Sequence, residues 1–151
     1  MYKTQIETIL KLDSQSQQNF KGVYPIDQLP KRALSGSYVI NYDSHDQPGS
    51  HWVAVLSQNG CVEYFDSSGQ PPLDVRLQTF VGPDYKFNPF QLQRVMDNSC
   101  GFYCVYYILQ RNRNCTSNDI ISILARTNSD YIVKTYVYKY FKPIFFVNKT
   151  R

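Results

Sequence analysis

A cysteine, a histidine and an aspartate are spaced along this chain so that they could form a nucleophilic thiol, its base and the carboxylate that orients the base. Cys100 follows a polar stretch and opens the most apolar run of the sequence, Gly101 to Arg111. By length and composition that run reads as a buried helix, with Asn98 or Ser99 as its N-cap. A thiol at a helix start meets the positive end of the dipole and the unpaired N–H groups of the first turn. Both stabilise a thiolate and bring its pKa down from the ordinary ~8.5. Gly101 removes a Cβ where a substrate backbone would come close. Taken alone, Cys100 is equally well a small buried thiol, as most free cysteines are. Cys104, one turn on, reads as core. Cys61 falls in a strand and Cys115 in a loop, neither with a partner that recommends it. Cys100 and Cys104 lack a second Cys/His pair at ligand spacing, which disfavours a metal.

A nucleophilic thiol needs an imidazole, and the chain has two. His45 lies in a polar loop and reads as a solvated side chain. His51 opens a strand after Pro48-Gly49-Ser50. Asp66 closes the next strand, fifteen residues later. Between them Gln58-Asn59-Gly60 is a hairpin signal, because Asn-Gly suits the φ > 0 positions of a type I′ turn. A hairpin turning there returns Asp66 to the side of His51, where a carboxylate can fix the tautomer of the ring. Acyl transfer also requires donors for the developing oxyanion. The Cys100 N–H is one, and a side-chain amide from the preceding loop is another, with Gln93 and Gln91 both in range.

The elements that must position these groups are also legible. Ile6, Ile9 and Leu10 recur at helical spacing over 3–12. Val23-Tyr24-Pro25 and Leu29-Pro30 read as turns. Strands are expected at 37–42, 51–56 and 61–65, and the segment from Asp43 to Ser50 as a loop. One or two helical turns fit 73–80, and an extended piece fits Gln91 to Val95. A helix capped by Ser117-Asn118-Asp119 runs to Ala125, and another from Ser129-Asp130 to about 141, ended by Pro143. This predicts one domain over 1–151, of class α+β: a small, mainly antiparallel sheet against several helices.

Composition agrees with a folded domain: 42% hydrophobic and 19% charged residues are globular proportions. No run approaches the ~18 apolar residues of a membrane span, and the N-terminus lacks an apolar segment followed by a cleavage site, so secretion is not expected. The cysteines then read as free thiols. The net charge is +4, with Lys134, Lys139, Lys142, Lys149 and Arg151 gathered in the last eighteen residues among tyrosines. That edge serves solubility or tracks a phosphate backbone.

The order His51, Asp66, Gln93, Cys100, carried by HWV at 51–53, YFDSSG at 64–69 and NSCGFYC at 98–104, resembles the adenovirus-type maturation proteases (adenains), in a clan with the ubiquitin-like-protein (SUMO) proteases. The resemblance runs from about Phe20 to Gln110, and Asp66 stands where adenains commonly have Glu. It implies a papain-like α+β fold in permuted chain order, a mixed and mainly antiparallel sheet packed on helices, with His51 as general base, Asp66 orienting it, Gln93 as oxyanion donor and Cys100 as nucleophile. It further implies a monomeric viral or virus-like cysteine endopeptidase that cleaves structural precursors during particle maturation, after small residues such as Gly, in the host nucleus or cytoplasm and in the virion. No cofactor is expected beyond the activating peptide and DNA that the family uses. The alternatives are a protease for ubiquitin-like modifiers, with the same chemistry, and an inert basic nucleic-acid-binding protein that keeps the fold.

Overall fold

The computed structural model describes residues 1–47, 50–94, 97–126 and 128–146. Of the sequence expectations, the loop residues Pro48 and Gly49, the end of the extended piece at Val95 and the basic residues Lys149 and Arg151 lie outside the described residues. In chain order the elements are α1 (Lys3–Leu12), β1 (Phe20–Pro25), a 3-10 turn (Ile26–Gln28), β2 (Gly36–Asn41), β3 (Trp52–Gln58), β4 (Cys61–Phe65), α2 (Val75–Val81), β5 (Tyr85–Phe87), α3 (Cys100–Arg111), α4 (Ser117–Ala125) and α5 (Ser129–Phe146).

The five strands form one sheet in the order β1-β2-β3-β4-β5. The two central ladders, β2–β3 and β3–β4, are antiparallel, and the two outer ones are parallel. The β3–β4 hairpin closes as its turn residues require: Gln58 faces Cys61, and Asn59 and Gly60 take φ of 51° and 76°. β2 and most of β3 are buried on both faces, so they read as unbroken apolar runs rather than as alternation. Alternate residues feed two cores. Val39, Ala54, Leu56 and Phe65 pack towards α1, α3, α4 and α5, while Tyr38, Ile40, Val53, Val55 and Tyr64 pack against Leu77, Phe80 and Val81 of α2. The class is α+β, with a mixed five-stranded sheet between helices.

Helix α3 is the centre of the larger core: every residue from Cys100 to Leu109 is buried. Contacts along one side tie it to the hairpin. The Phe65 ring stacks on Tyr107 with centroids 4.2 Å apart and planes 10° from parallel, and Arg111 clamps Glu63 of β4 through Nε at 2.9 Å and Nη2 at 2.7 Å. Aromatic stacking of this kind adds about 1 kcal/mol to the area it buries. The end of β4 is thereby held in register with α3.

Three local expectations are corrected. Val23-Tyr24-Pro25 is strand, because Pro25 ends the sheet-edge strand β1, where a missing N–H costs least. β5 was not expected; its three residues are too short to display alternation. Helix α5 continues past Pro143, with the break at Phe141 (φ −128°, ψ 25°) letting two helical segments join.

Candidate active site

Asp66 follows the last residue of β4 and is 2% exposed. One carboxylate oxygen, Oδ1, lies 2.8 Å from His51 Nε2 and accepts from the Ser68 N–H at 2.8 Å. With Nε2 committed to Asp66, Nδ1 is the ring nitrogen left for the Cys100 thiol, and the two groups stand close enough that each shifts the other's pKa. Tyr42 flanks the same ring at a centroid distance of 5.8 Å and accepts nothing from it; its hydroxyl pairs with buried Tyr64 at 2.7 Å. The structure thus brings His51, Asp66 and Cys100 together, with His51 hydrogen-bonded to Asp66 and electrostatically coupled to Cys100.

The electrostatics follow from this arrangement. Burial disfavours the His51 imidazolium, but the hydrogen bonds to Asp66 and Cys100 and the charges behind them outweigh it, and the pKa rises to about 9. Burial likewise pushes the Cys100 thiol up. The hydrogen bond from His51, the Trp52 backbone N–H, the imidazolium charge and the Gly101 N–H together bring it below its ordinary value. A base raised and a thiol lowered is the signature of a thiolate–imidazolium pair. Cys104, one turn deeper, is pushed well above an ordinary thiol by burial and by the charges of Cys100 and Asp66.

Gln93 lies in the loop that leads to α3 and is 7% exposed. Its Oε1 accepts from Ser67 Oγ at 2.6 Å, and its Nε2 donates to the Asp97 carbonyl. The Asp97 carbonyl can only accept, so it fixes the amide nitrogen on that side and leaves the oxygen to the Ser67 hydroxyl; the second Nε2 hydrogen has no partner among the described residues. The loop is anchored on both sides. Ser67 O accepts the Leu92 and Gln93 N–H groups at 2.8 and 3.0 Å, Ser129 Oγ donates to Leu92 O at 2.9 Å, and Tyr103 donates to Asp130 Oδ1 at 2.5 Å. Gln91, the competing amide, is exposed and donates to the Gln93 carbonyl.

Ser99 is the N-cap residue of α3, but its side chain bonds Asp97 and does not cap the first-turn N–H groups beside Cys100. Gly101 answers to packing: a Cβ there would lie 3.0 Å from Met1 Cβ and 3.4 Å from Trp52 Cδ1. His45 is not free in solvent; it pairs with Asp27 through Nδ1 and through its backbone N–H at 2.8 Å. Beside Cys100 opens a cavity of about 590 Å³, walled by Trp52, Asn41, Asp43, Gln28, His45 and Asn98 among others.

Sequence reasoning missed Asn88. It is 1% exposed, accepts from the Asp66 N–H at 2.9 Å and donates to the Asp66 carbonyl at 2.6 Å, so it holds the peptide that carries the carboxylate. No periodicity or motif marks an asparagine after a three-residue strand. The Trp52 N–H was equally invisible, being a backbone group. Among the described residues no group of three His, Cys, Asp or Glu could hold a metal ion, and no helix is long and apolar enough to cross a membrane.

The solved structure of the ASFV pS273R protease overlays with a TM-score of 0.56 at 16% identity, covering 90% of this chain and 64% of that one. The fold is that of a papain-like cysteine protease. SUMO protease Ulp1 overlays more loosely, with a TM-score of 0.45 at 17% identity over 89% of this chain and 78% of that one. In sequence, a protein of Acanthamoeba polyphaga mimivirus named as a thiol protease is 32% identical over 99 residues, which cover 56% of this chain. The chain spans about a third (32%) of the length of that relative. No protein-family model matches the chain.

Proposed function

We propose that this chain is a cysteine endopeptidase of viral type, with Cys100 as nucleophile, His51 as general base and acid, Asp66 orienting His51, and Gln93 with the Cys100 N–H binding the oxyanion. The observation that carries the reading is the hydrogen bond of Asp66 to His51, with His51 coupled to Cys100 at the start of a buried helix. The viral thiol-protease relative and the papain-like fold support it.

In this reading the thiolate attacks the scissile carbonyl, and the free Nε2 hydrogen of Gln93 and the Cys100 N–H take up the charge on the oxygen. His51, protonated in the resting pair, gives its proton to the leaving amine. It then removes one from the water that hydrolyses the thioester and returns to the pair. Trp52, against Gly101, narrows the cleft and favours small residues such as Gly before the cut. The substrates are viral structural precursors processed during particle maturation. DNA at the α5 edge and an activating peptide belong to the same proposal.

The test is digestion of a mixed peptide library by the wild type and by Cys100→Ala, with cut sites read by mass spectrometry. Cleavage after small residues by the wild type alone is the expected result; no Cys100-dependent cleavage overturns the reading. Strong labelling by ubiquitin-like proteins bearing a C-terminal vinyl sulfone would replace precursors with modifiers as the substrate class.

A further inference from the structure

The peptide that leads into Gln93 is held at both ends. Its plane contains the Leu92 carbonyl and the Gln93 N–H. The N–H donates to Ser67 O at 3.0 Å, just beyond β4. On the other side, the carbonyl accepts from Ser129 Oγ at 2.9 Å and lies 3.1 Å from the Tyr103 hydroxyl. Tyr103 joins these pieces. It sits on α3 three residues after Cys100, and its side chain is fully buried. Its oxygen is 2.5 Å from Ser129 Oγ, and it donates to Asp130 Oδ1 at 2.5 Å, both at the start of α5. On the far side of Gln93, Arg94 Nε stands 3.8 Å from the other oxygen of that carboxylate.

Tyr103, Ser129 and Asp130 are 0%, 4% and 7% exposed. Polar groups are costly to bury, and apolar side chains of similar volume often fill such a space with no loss of stability. Stability therefore does not account for them; what they do is fix a distance. α3 carries Cys100 and Tyr103 on one rigid rod, and the Tyr103 hydroxyl sets the Leu92–Gln93 peptide against that rod. From this we infer that Tyr103 is a positioning residue for the oxyanion site: with Ser129 it holds the Leu92 carbonyl, and so places the Gln93 amide where the tetrahedral oxygen forms beside Cys100. Such a site works because its donors are already in place when charge develops on the oxygen. Burial, and the bond to Asp130, keep the hydroxyl above the range of an ordinary tyrosine, so it stays a donor as pH varies. The nucleophile and the amide that answers it are thereby set by one helix.

This assignment rests on the protease reading, and the experiment separates the two. Turnover is measured on the peptide that the wild type cuts fastest in the library digestion. Cys100 is also alkylated with iodoacetamide, where sulfur displaces iodide and no oxyanion forms. Tyr103→Phe keeps the ring and removes the hydroxyl; Ser129→Ala removes the donor to Leu92 O and leaves α3 as it is. Each is expected to lower kcat about tenfold at unchanged KM, a part of the roughly 10²–10³-fold that a whole oxyanion donor supplies. The iodoacetamide rate and its pH profile should stay as in the wild type. In a Gln93→Ala background neither change should lower kcat by more than about twofold, because the amide they place is gone. Circular dichroism identifies the folded variants, and Ser129→Ala carries the test if Tyr103→Phe does not fold. Wild-type kcat in a folded variant, a loss that multiplies with that of Gln93→Ala, a change confined to KM, or a parallel fall with iodoacetamide overturns the inference. A wild type that cuts no library peptide through Cys100 overturns the protease reading, and this assignment with it.

Discussion

Replacing Asn88 by alanine isolates what holds Asp66 in place. The side chain makes two bonds to that peptide, and alanine removes both. The Asp66 carbonyl keeps the Gly69 N–H at 2.9 Å, so losing the Asn88 donor costs about 1 kcal/mol, the net worth of one hydrogen bond. The Asp66 N–H keeps nothing. A buried donor without a partner costs roughly 1–3 kcal/mol, and the total comes to about 3 kcal/mol. For a domain of this size a urea m-value of about 2 kcal/mol/M turns that into a midpoint lowered by roughly 1.5 M. Equilibrium urea unfolding, followed by Trp52 fluorescence and by circular dichroism, measures it. A midpoint moved by less than about 0.5 M, at unchanged m, refutes the claim that Asn88 clamps the carboxylate peptide.

Other outcomes follow from the same contacts. Asp66→Asn keeps an acceptor for His51 Nε2 but removes the charge that raises the ring, so the alkaline limb of Cys100 reactivity should move down from about 9; an unmoved limb contradicts the assignment. Arg111→Met leaves the Glu63 carboxylate with Tyr107 at 2.8 Å and no cation. The pair is partly buried, so stripping it of one partner costs less than for a fully buried pair, about 1–2 kcal/mol, which thermal unfolding would register as a loss. In native protein near neutral pH, alkylation mapped by mass spectrometry should find Cys100 first, exposed Cys61 more slowly, and Cys104 only on unfolding. Early modification of Cys104 would mean that α3 is not the closed core helix described.

The parts of the fold that were legible in the sequence are those where one local signal suffices. Asn59-Gly60 fixed the hairpin, Ile6, Ile9 and Leu10 fixed α1, and the apolar run after Cys100 fixed α3. β1 was hidden because Gly22 and Pro25 are turn residues in isolation, and only the parallel pairing with β2 overrides them. β5 depends on pairing with β4, and Asn88 on Asp66 twenty-two residues earlier in the chain, contacts no window of sequence contains. In the site, the pairing of His51 with Asp66 could be argued from hairpin geometry, whereas the locking of Gln93 by Ser67 and Asp97 required coordinates. Gly101 reads in sequence as a position where a Cβ is unwelcome, and in the structure Met1 and Trp52 are the neighbours such a Cβ would meet.

The central claim is that His51 holds Cys100 as a thiolate. It is tested most directly by the rate of iodoacetamide alkylation at Cys100 as a function of pH, in the wild type and in His51→Ala. The account predicts a wild-type thiol already reactive well below pH ~8.5, with a further change near 9 as the imidazolium loses its proton. His51→Ala should then react only as pH rises through the ordinary thiol range. Superimposed profiles with a common midpoint near ~8.5 would contradict it.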